Sequence, residues 1–363
     1  MRFPRRRSAR PLVPTLLPII CMLTVVSSCH DEPSGPQADI PQPSFNISTG
    51  SPGSWASRIS MPLARAGMGS GVIRNASGQD IMYVVGGQTL SSDALSRMDS
   101  YNASTKAWTR RANLPAARML PGVAALNGKL YVVNGLTPPS QTGVKSPTKT
   151  LYAYTPSTNS WIRKADMPVA TYAGEAAAIG GYLYVLTGFL SGFTPGPARF
   201  YRYNPATNSW TERARPPGGC GVCAGGVING KLYLLGFQSV NMYDPAANQW
   251  KTVHNMVEAD WTPYADSPFR NSSNDGVSLN QQLYVIGGWY GGGSGHLYSR
   301  SVFAYNPVTN SWSKKADMIR SRMWHTVGKV KNGAGVLQII ATGGWSDGSP
   351  NASIIQQTEA FTP

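Results

Sequence analysis

Tyr154-Thr-Pro-Ser-Thr-Asn-Ser-Trp161, Tyr203-Asn-Pro-Ala-Thr-Asn-Ser-Trp210 and Tyr305-Asn-Pro-Val-Thr-Asn-Ser-Trp312 are one phrase written three times. Tyr101 to Trp108 and Tyr243 to Trp250 keep the same interval. A β-favouring aromatic, a cluster of turn residues and a second aromatic read as strand, turn, strand. An interval kept five times makes the chain a repeat protein, and the repeat outranks any local motif in deciding the fold.

Working outward, each phrase is preceded by a short apolar run ending in glycine: Tyr83-Val-Val-Gly-Gly87, Tyr131-Val-Val-Asn-Gly135, Tyr184-Val-Leu-Thr-Gly188, Tyr284-Val-Ile-Gly-Gly288 and Ile340-Ala-Thr-Gly-Gly344. The fourth copy departs from the pattern, as Tyr233-Leu-Leu-Gly-Phe237. Such a run is a buried strand whose end needs positive φ or close backbone approach, which glycine permits because it has no Cβ. A further strand precedes it, as in Gly122-Val-Ala-Ala-Leu126, joined through the hairpin pair Asn127-Gly128; Asn229-Gly230 repeats that turn. One unit is therefore four short antiparallel strands, a to d, with Tyr on c and Trp on d.

Trp55, Trp108, Trp161, Trp210, Trp250 and Trp312 recur about every fifty residues, the period of kelch repeats. In its Gly-Gly pairs, its Tyr and its seventh-position Trp, the chain resembles the kelch family of β-propellers over residues 54–363. The predicted fold is an all-β, six-bladed kelch-type β-propeller of four-stranded antiparallel blades. The sixth Gly-Gly leads to Thr358-Glu-Ala-Phe361, with Phe361 in the Tyr column and no Trp after it. Trp55 has no strand c before it, so residues 54–60 are expected to supply strand d of the last blade. Closure of this kind removes open sheet edges.

Residues 1–28 read as an export signal: Arg2, Arg5, Arg6, Arg7 and Arg10 precede an apolar stretch from Leu12 to Val26. Val26-Ser-Ser-Cys29 resembles a bacterial lipobox, which implies lipidation of Cys29 in the cell envelope and, with His30 following, an outer-membrane destination. Ordinary cleavage nearby would instead release a periplasmic or secreted protein. Residues 29–53, rich in Pro, Ser and Gly, read as a flexible tether. The full chain carries a formal charge of +15, and loss of the signal leaves about +10. No basic block or nucleic-acid motif remains, so nucleic acid is not an expected partner, and contact with the membrane is expected through the lipid alone.

The domain holds two cysteines, Cys220 and Cys223, in a glycine-rich bend that admits a disulfide as readily as two buried thiols. Aligning the blades on strand b puts Arg118, Thr171, Cys220 and Asn271 in one column at the channel rim, beside Tyr172. Arg65, Arg270 and Arg322 fall near the same entrance, with Glu175, Asp275 and His325 slightly deeper. Converging guanidinium groups would make an anion site; alternatively each pairs with carbonyl or carboxylate groups within the ring of blades. Trp289, Trp324 and Trp345 would offer stacking surfaces for a sugar or an aromatic side chain, or pack against the next blade.

His254, His296 and His325 share no short motif with other ligands, so neither a metal nor another cofactor is expected. A copper oxidase on this scaffold, such as galactose oxidase, would need two His and two Tyr, a pattern this sequence does not display. Two readings follow. One is a non-catalytic module whose rim loops bind a glycan, an acidic small molecule or a protein. The other resembles the sialic-acid mutarotases, also kelch propellers, and would have arginines hold the sugar carboxylate while Glu175 or His325 moves a proton.

Overall fold

A computed structural model of the chain describes residues 52–139, 144–191, 194–195, 198–218, 223–236, 239–255, 275–290, 297–347 and 353–363. The signal segment, nearly all of the tether, Cys29, Cys220 and Arg270 lie outside the described residues.

The strand β1 (Ser54–Arg58) stands apart from its neighbours in sequence. Blade one follows as β2 (Ala66–Arg74), β3 (Asp80–Gln88), β4 (Met98–Asn102) and β5 (Ala107–Arg110). Blade two is β6 (Gly122–Leu126), β7 (Lys129–Val133), β8 (Leu151–Thr155) and β9 (Ser160–Lys164). Blade three has β10 (Ala176–Ile179) and β11 (Tyr182–Leu186), then a small ribbon, β12 (Phe189–Ser191) with β13 (Thr194–Pro195), before β14 (Phe200–Asn204) and β15 (Ser209–Arg213). Blade four is β16 (Ala224–Ile228), β17 (Lys231–Leu235), β18 (Ser239–Asp244) and β19 (Gln249–Asn255). Blade five is β20 (Asp275–Leu279), β21 (Gln282–Ile286), the ribbon β22 (Trp289–Tyr290) with β23 (Leu297–Tyr298), then β24 (Val302–Asn306) and β25 (Ser311–Lys314). Blade six has β26 (Thr326–Lys331), β27 (Leu337–Thr342), the ribbon β28 (Trp345–Ser346) with β29 (Ser353–Ile354), and β30 (Thr358–Thr362).

Every blade is an antiparallel four-stranded sheet in sequence order, except that blade six is completed by β1 alongside β30. Trp55 sits opposite Phe361 in that pairing, as Trp108 sits opposite Tyr101 and Trp210 opposite Tyr203. The first strands pack side by side around the axis, from β2 through β6, β10, β16, β20 and β26 back to β2. Together these form a six-bladed β-propeller, closed by the N-terminal strand.

The second strands read as unbroken apolar runs because both faces are covered by neighbouring blades, burying Val84, Val132, Val185, Val285 and Ile340 almost completely. The hairpin pairs turn as expected, with Asn127 and Gly128 at φ 50° and 71° and Asn229 and Gly230 at 48° and 73°. The paired glycines meet both demands inferred for them. Gly86 and Gly87 have φ of 73° and 96°, and a Cβ on Gly86 would lie 2.6 Å from the Arg118 carbonyl of the next blade. The Gly87 N–H donates to that same carbonyl at 3.0 Å; Gly135 does so to Thr171, Gly288 to Arg322 and Gly344 to Arg65.

Blades are also tied at their outer strands. The indole N–H of Trp55, Trp108, Trp161, Trp210 and Trp250 donates to a backbone carbonyl just after the preceding blade's outer strand, at 2.8–3.1 Å. The Asn before each Ser-Trp or Gln-Trp pair adds a second tie. Asn159, Asn208 and Asn248 hold φ near 50°, and each Oδ1 accepts both the hydroxyl of the Tyr five residues earlier and a backbone N–H of the preceding blade. In blade five Asn310 accepts the Tyr305 hydroxyl, and its blade-four partner is the His254 ring in place of a backbone N–H.

Candidate functional site

Residues at or just before the start of the first strands of four blades line the central cavity. Gly67, Leu120, Ala173 and Trp324 occupy the same position in blades one, two, three and six, and all have left-handed φ, of 67°, 50°, 55° and 52°. Their peptides run in a belt: Gly67 N–H donates to the Trp324 carbonyl, Leu120 to Gly67 and Ala173 to Leu120, at 2.7–2.9 Å. A leucine and a tryptophan in this region are sterically disfavoured, and such strain concentrates at ligand sites.

Below the belt lies a cavity of about 350 Å³ lined by the first strands. Glu175, Asp275, Cys223, Trp324, His325 and Thr326 supply its reactive and polar character. Glu175 and Asp275 hold one position in blades three and five. A Cβ on Gly225 of blade four would stand 2.7 Å from Glu175 Oε1 and 2.8 Å from Leu234 Cδ2, so glycine is what leaves room for the carboxyl against blade four. Burial, reinforced by Asp275, holds the Glu175 carboxyl well above the usual carboxylate range. Burial likewise lifts Asp275 to about 6, although N–H groups of Val327 and Gly276 and the Thr326 side chain favour its ionised form. His325 is buried, and desolvation plus the nearby Arg322 push it down to about 3, so it is neutral; neither ring nitrogen has a hydrogen-bond partner among the described residues.

The arginines stand elsewhere than in the expected anion site. Arg65, Arg118 and Arg322 are at most 1% exposed and do not line the cavity. Arg65 donates to the Gly86 and Arg97 carbonyls and to Asp99 at 2.8 Å. Arg118 donates to the Asn134 and Thr150 carbonyls and to Thr150 Oγ1. Arg322 donates to the Gly343 and Gln357 carbonyls and to Glu359 at 2.6 Å. Each guanidinium thus pins together the second and third strands of its own blade, while its backbone carbonyl receives the glycine of the preceding blade. The physical cause is that these strands diverge into loops, leaving carbonyls in a dry interior that only a multi-donor group can satisfy.

Tyr172 is also interior, packed against Phe189 with centroids 5.5 Å apart and planes at 41°. Trp289, Trp324 and Trp345 are half-buried on the loop face. Trp345 exchanges both backbone hydrogen bonds with Met323, so its ribbon is bound to the segment that carries Trp324. Cys223 is disulfide-bonded, whereas its sequence neighbour Cys220 and the remaining arginine, Arg270, lie outside the described residues. No group of three or more His, Cys, Asp or Glu among the described residues could hold a metal ion.

The fold is a six-bladed propeller whose repeated Gly-Gly, Tyr and Trp resemble kelch repeats, and comparison with known proteins supports that resemblance. The Kelch motif family model matches residues 117–168 and 275–319. The chain is 24% identical over 239 residues to human Kelch repeat and BTB domain-containing protein 12, covering 64% of this chain and 32% of that protein. It is 25% identical to mouse Kelch-like protein 35, covering 73% and 33%, and 31% identical to Beta-scruin of Limulus polyphemus, covering 31% and 12%. The chain therefore spans about a third or less of these relatives. The solved structure of YjhT superposes with a TM-score of 0.65 at 15% identity, covering 83% of this chain and 95% of that one, which supports the fold. These matches support a kelch-repeat family for the chain.

Proposed function

We propose that the protein is a binding propeller, lipid-anchored through Cys29 in a bacterial cell envelope and held off the membrane by residues 29–53, whose channel mouth receives the end of a glycan. The observation that carries this reading is the cavity below the belt of left-handed residues, sized for a small ligand. Trp324 gives it an apolar face, and Glu175 and Asp275 give it acceptors for hydroxyl groups. Proton NMR of the mature chain with a sugar panel tests it: line broadening abolished by Trp324→Ala supports the site, and silence across the panel turns the reading toward a protein partner on the rim loops.

One observation favours a second reading as a sugar-processing enzyme resembling the mutarotases. Two buried carboxyl groups, Glu175 and Asp275, line one cavity and both are raised by burial, which suits the proton transfers of an acid and base pair. Glu175 would protonate the ring oxygen of a bound sugar while Asp275 takes the anomeric hydroxyl proton, opening the ring; the reverse transfer would close it on either face. Since Arg65, Arg118 and Arg322 face away from the cavity, the substrate in this reading is not anchored by them. Accelerated anomer exchange, lost in Glu175→Gln, would establish turnover; binding without exchange would exclude it.

A further inference from the structure

We infer that the propeller docks on an anionic lipid surface with the end that carries its β26–β27 hairpin, turning the cavity of Trp324 and Glu175 away from the bilayer. The inference rests on the lipid-anchor reading and adds to it a second contact, made by the folded domain itself. Residues 29–53 allow the domain to stand clear of a neutral surface, and charge draws it down onto an anionic one.

The register of blade six places the point of chain entry beside a basic hairpin. Lys331 stands opposite Leu337 at the end of the β26–β27 pairing, the Gln338 amide donates to Thr362 Oγ1 at 2.7 Å, and Thr362 stands opposite Ser54. The chain therefore arrives from the tether at the same end of the blade as that hairpin. Residues 29–51 as a coil would average roughly 25 Å between their ends, so a lipid on Cys29 holds this end of the domain near the surface at high effective concentration.

The same end has the chemistry for such a surface. Lys329 and Lys331 on β26, with Arg74 and Lys106 of blade one, are exposed, and among the described residues none of the four stands in an ion pair. Contacts between the two blades bring them together. The Lys331 N–H donates to Asp80 Oδ2 at 2.7 Å, Asp80 stands opposite Arg74, and a Cβ on Gly333 would lie 3.3 Å from the Ser104 carbonyl in the turn that holds Lys106. Val336 and Leu337 of the hairpin are 43% and 36% exposed. Cations beside exposed apolar side chains fit the interface of an anionic bilayer, where the former meet head groups and the latter enter the acyl boundary. Lys329 and Leu337 also line a cavity of about 310 Å³ with Asn229, Asn280 and Gln281. Its described lining offers ammonium and amide donors and no carboxylate, which suits a head-group phosphate.

Strand β26 joins this end to the other. It starts at Thr326, on the wall of the central cavity, and ends at Lys331, roughly 17 Å away at the rise of a strand. Docking through the lysines thus leaves the central cavity open to its ligand.

Hydrogen exchange of the lipidated mature chain in vesicles tests this, comparing phosphatidylcholine alone with an equal mixture of phosphatidylcholine and phosphatidylglycerol. Amides of residues 329–337 are expected to exchange at least about threefold more slowly on the mixed vesicles, as when the face is covered about two thirds of the time, with residues 89–95 at the other end unchanged. The slowing should disappear in about 1 M salt, where the Debye length is ~3 Å, and in the double variant Lys329→Glu, Lys331→Glu. Equal exchange on both vesicles, or slowing of residues 89–95 instead, overturns the inference and leaves the lipid-anchor reading standing. Slowing that grows with protein concentration in detergent without vesicles gives the face to a second copy and overturns the inference too. Slowing that survives in the double variant overturns its assignment to these lysines. A mature chain that carries no lipid and enters neither vesicle overturns the anchor reading and the inference with it. The unsubstituted chain alone decides the first comparison, so a variant that fails to fold does not protect the idea.

Discussion

The indole of Trp55 packs on the ring of Phe361 with centroids 5.3 Å apart and planes at 44°, close to the 5.1–5.2 Å and 45–48° of the five internal Tyr–Trp pairs. Two distant segments thus rebuild a contact that every other blade makes locally. The Trp55 N–H also donates to the Ala316 carbonyl of blade five. Trp55→Ala should destabilise the whole propeller by about 3 kcal/mol, through lost packing and one interblade hydrogen bond. Deleting residues 54–60 should be worse. Calorimetry should show one cooperative transition at lower temperature; a truncated chain that melts like the parent would refute the closure.

Asn208 joins two demands, a left-handed backbone and two accepted hydrogen bonds. Asn208→Gly keeps the backbone and loses the side-chain bonds, whereas Asn208→Ala loses both. The expected costs are about 2 kcal/mol for Gly and about 1 kcal/mol more for Ala, read from urea denaturation. Equal stability of the two variants would show that the backbone conformation carries no cost.

The arginine variants separate stability from binding. Arg322→Ala would leave Glu359, 2% exposed, without its cationic partner, and should cost about 3–5 kcal/mol. Arg118 has no carboxylate partner in its set of bonds, so Arg118→Ala should cost less and give a folded protein with unchanged sugar affinity. A large loss of affinity in folded Arg118→Ala would return that residue to the ligand site.

Acidification should act on the cavity in two opposed ways. Glu175 and Asp275 have raised folded pKa values, so their contribution is present at low pH and is lost as pH rises, for Asp275 through about 6. His325 is lowered to about 3, so its contribution is present above its ordinary value of 6.5 and is lost as pH falls toward 3. The charged neighbours that act on these groups are Asp275 on Glu175 and Arg322 on His325. Relative to the parent, His325→Phe should gain melting temperature from pH 7 to pH 5, and Glu175→Gln should lose it. Parallel profiles for all three proteins would mean that the cavity groups titrate as in water.

Much of this was open to reading in the repeat. Tyr101, Tyr154 and their successors mark the third strands, their tryptophans the fourth, and Trp55 without a preceding Tyr announces the closure, because strand pairing is local and periodic. The alignment that puts Arg118 and Thr171 in one column sets Arg65 and Arg322 near the same entrance. What it could not give is direction. A side chain at a channel rim can turn into the lumen or back into its own blade, and the unsatisfied carbonyls of Gly86, Asn134 and Gly343 decide that in three dimensions. Glu175, Asp275 and His325 are placed near the mouth by alignment, but the clearance above Gly225 depends on the neighbouring blade. The role of the asparagines could have been suspected from their constant offset from Tyr in Tyr154–Asn159, Tyr203–Asn208 and Tyr305–Asn310.

Closure by β1 also fixes the order of events during synthesis. The strand made earliest in the domain waits for its partner, Thr358–Thr362, until nearly everything between them has been translated. Pairing over such a separation is slow, although the entropic cost of closing so long a loop rises only with the logarithm of its length. A chain interrupted before Thr358 would hold nearly complete blades yet leave β1 and β27 with unpaired edges. Those edges are templates for pairing with other copies, so completion of β30 determines whether the blades made before it stay monomeric or aggregate.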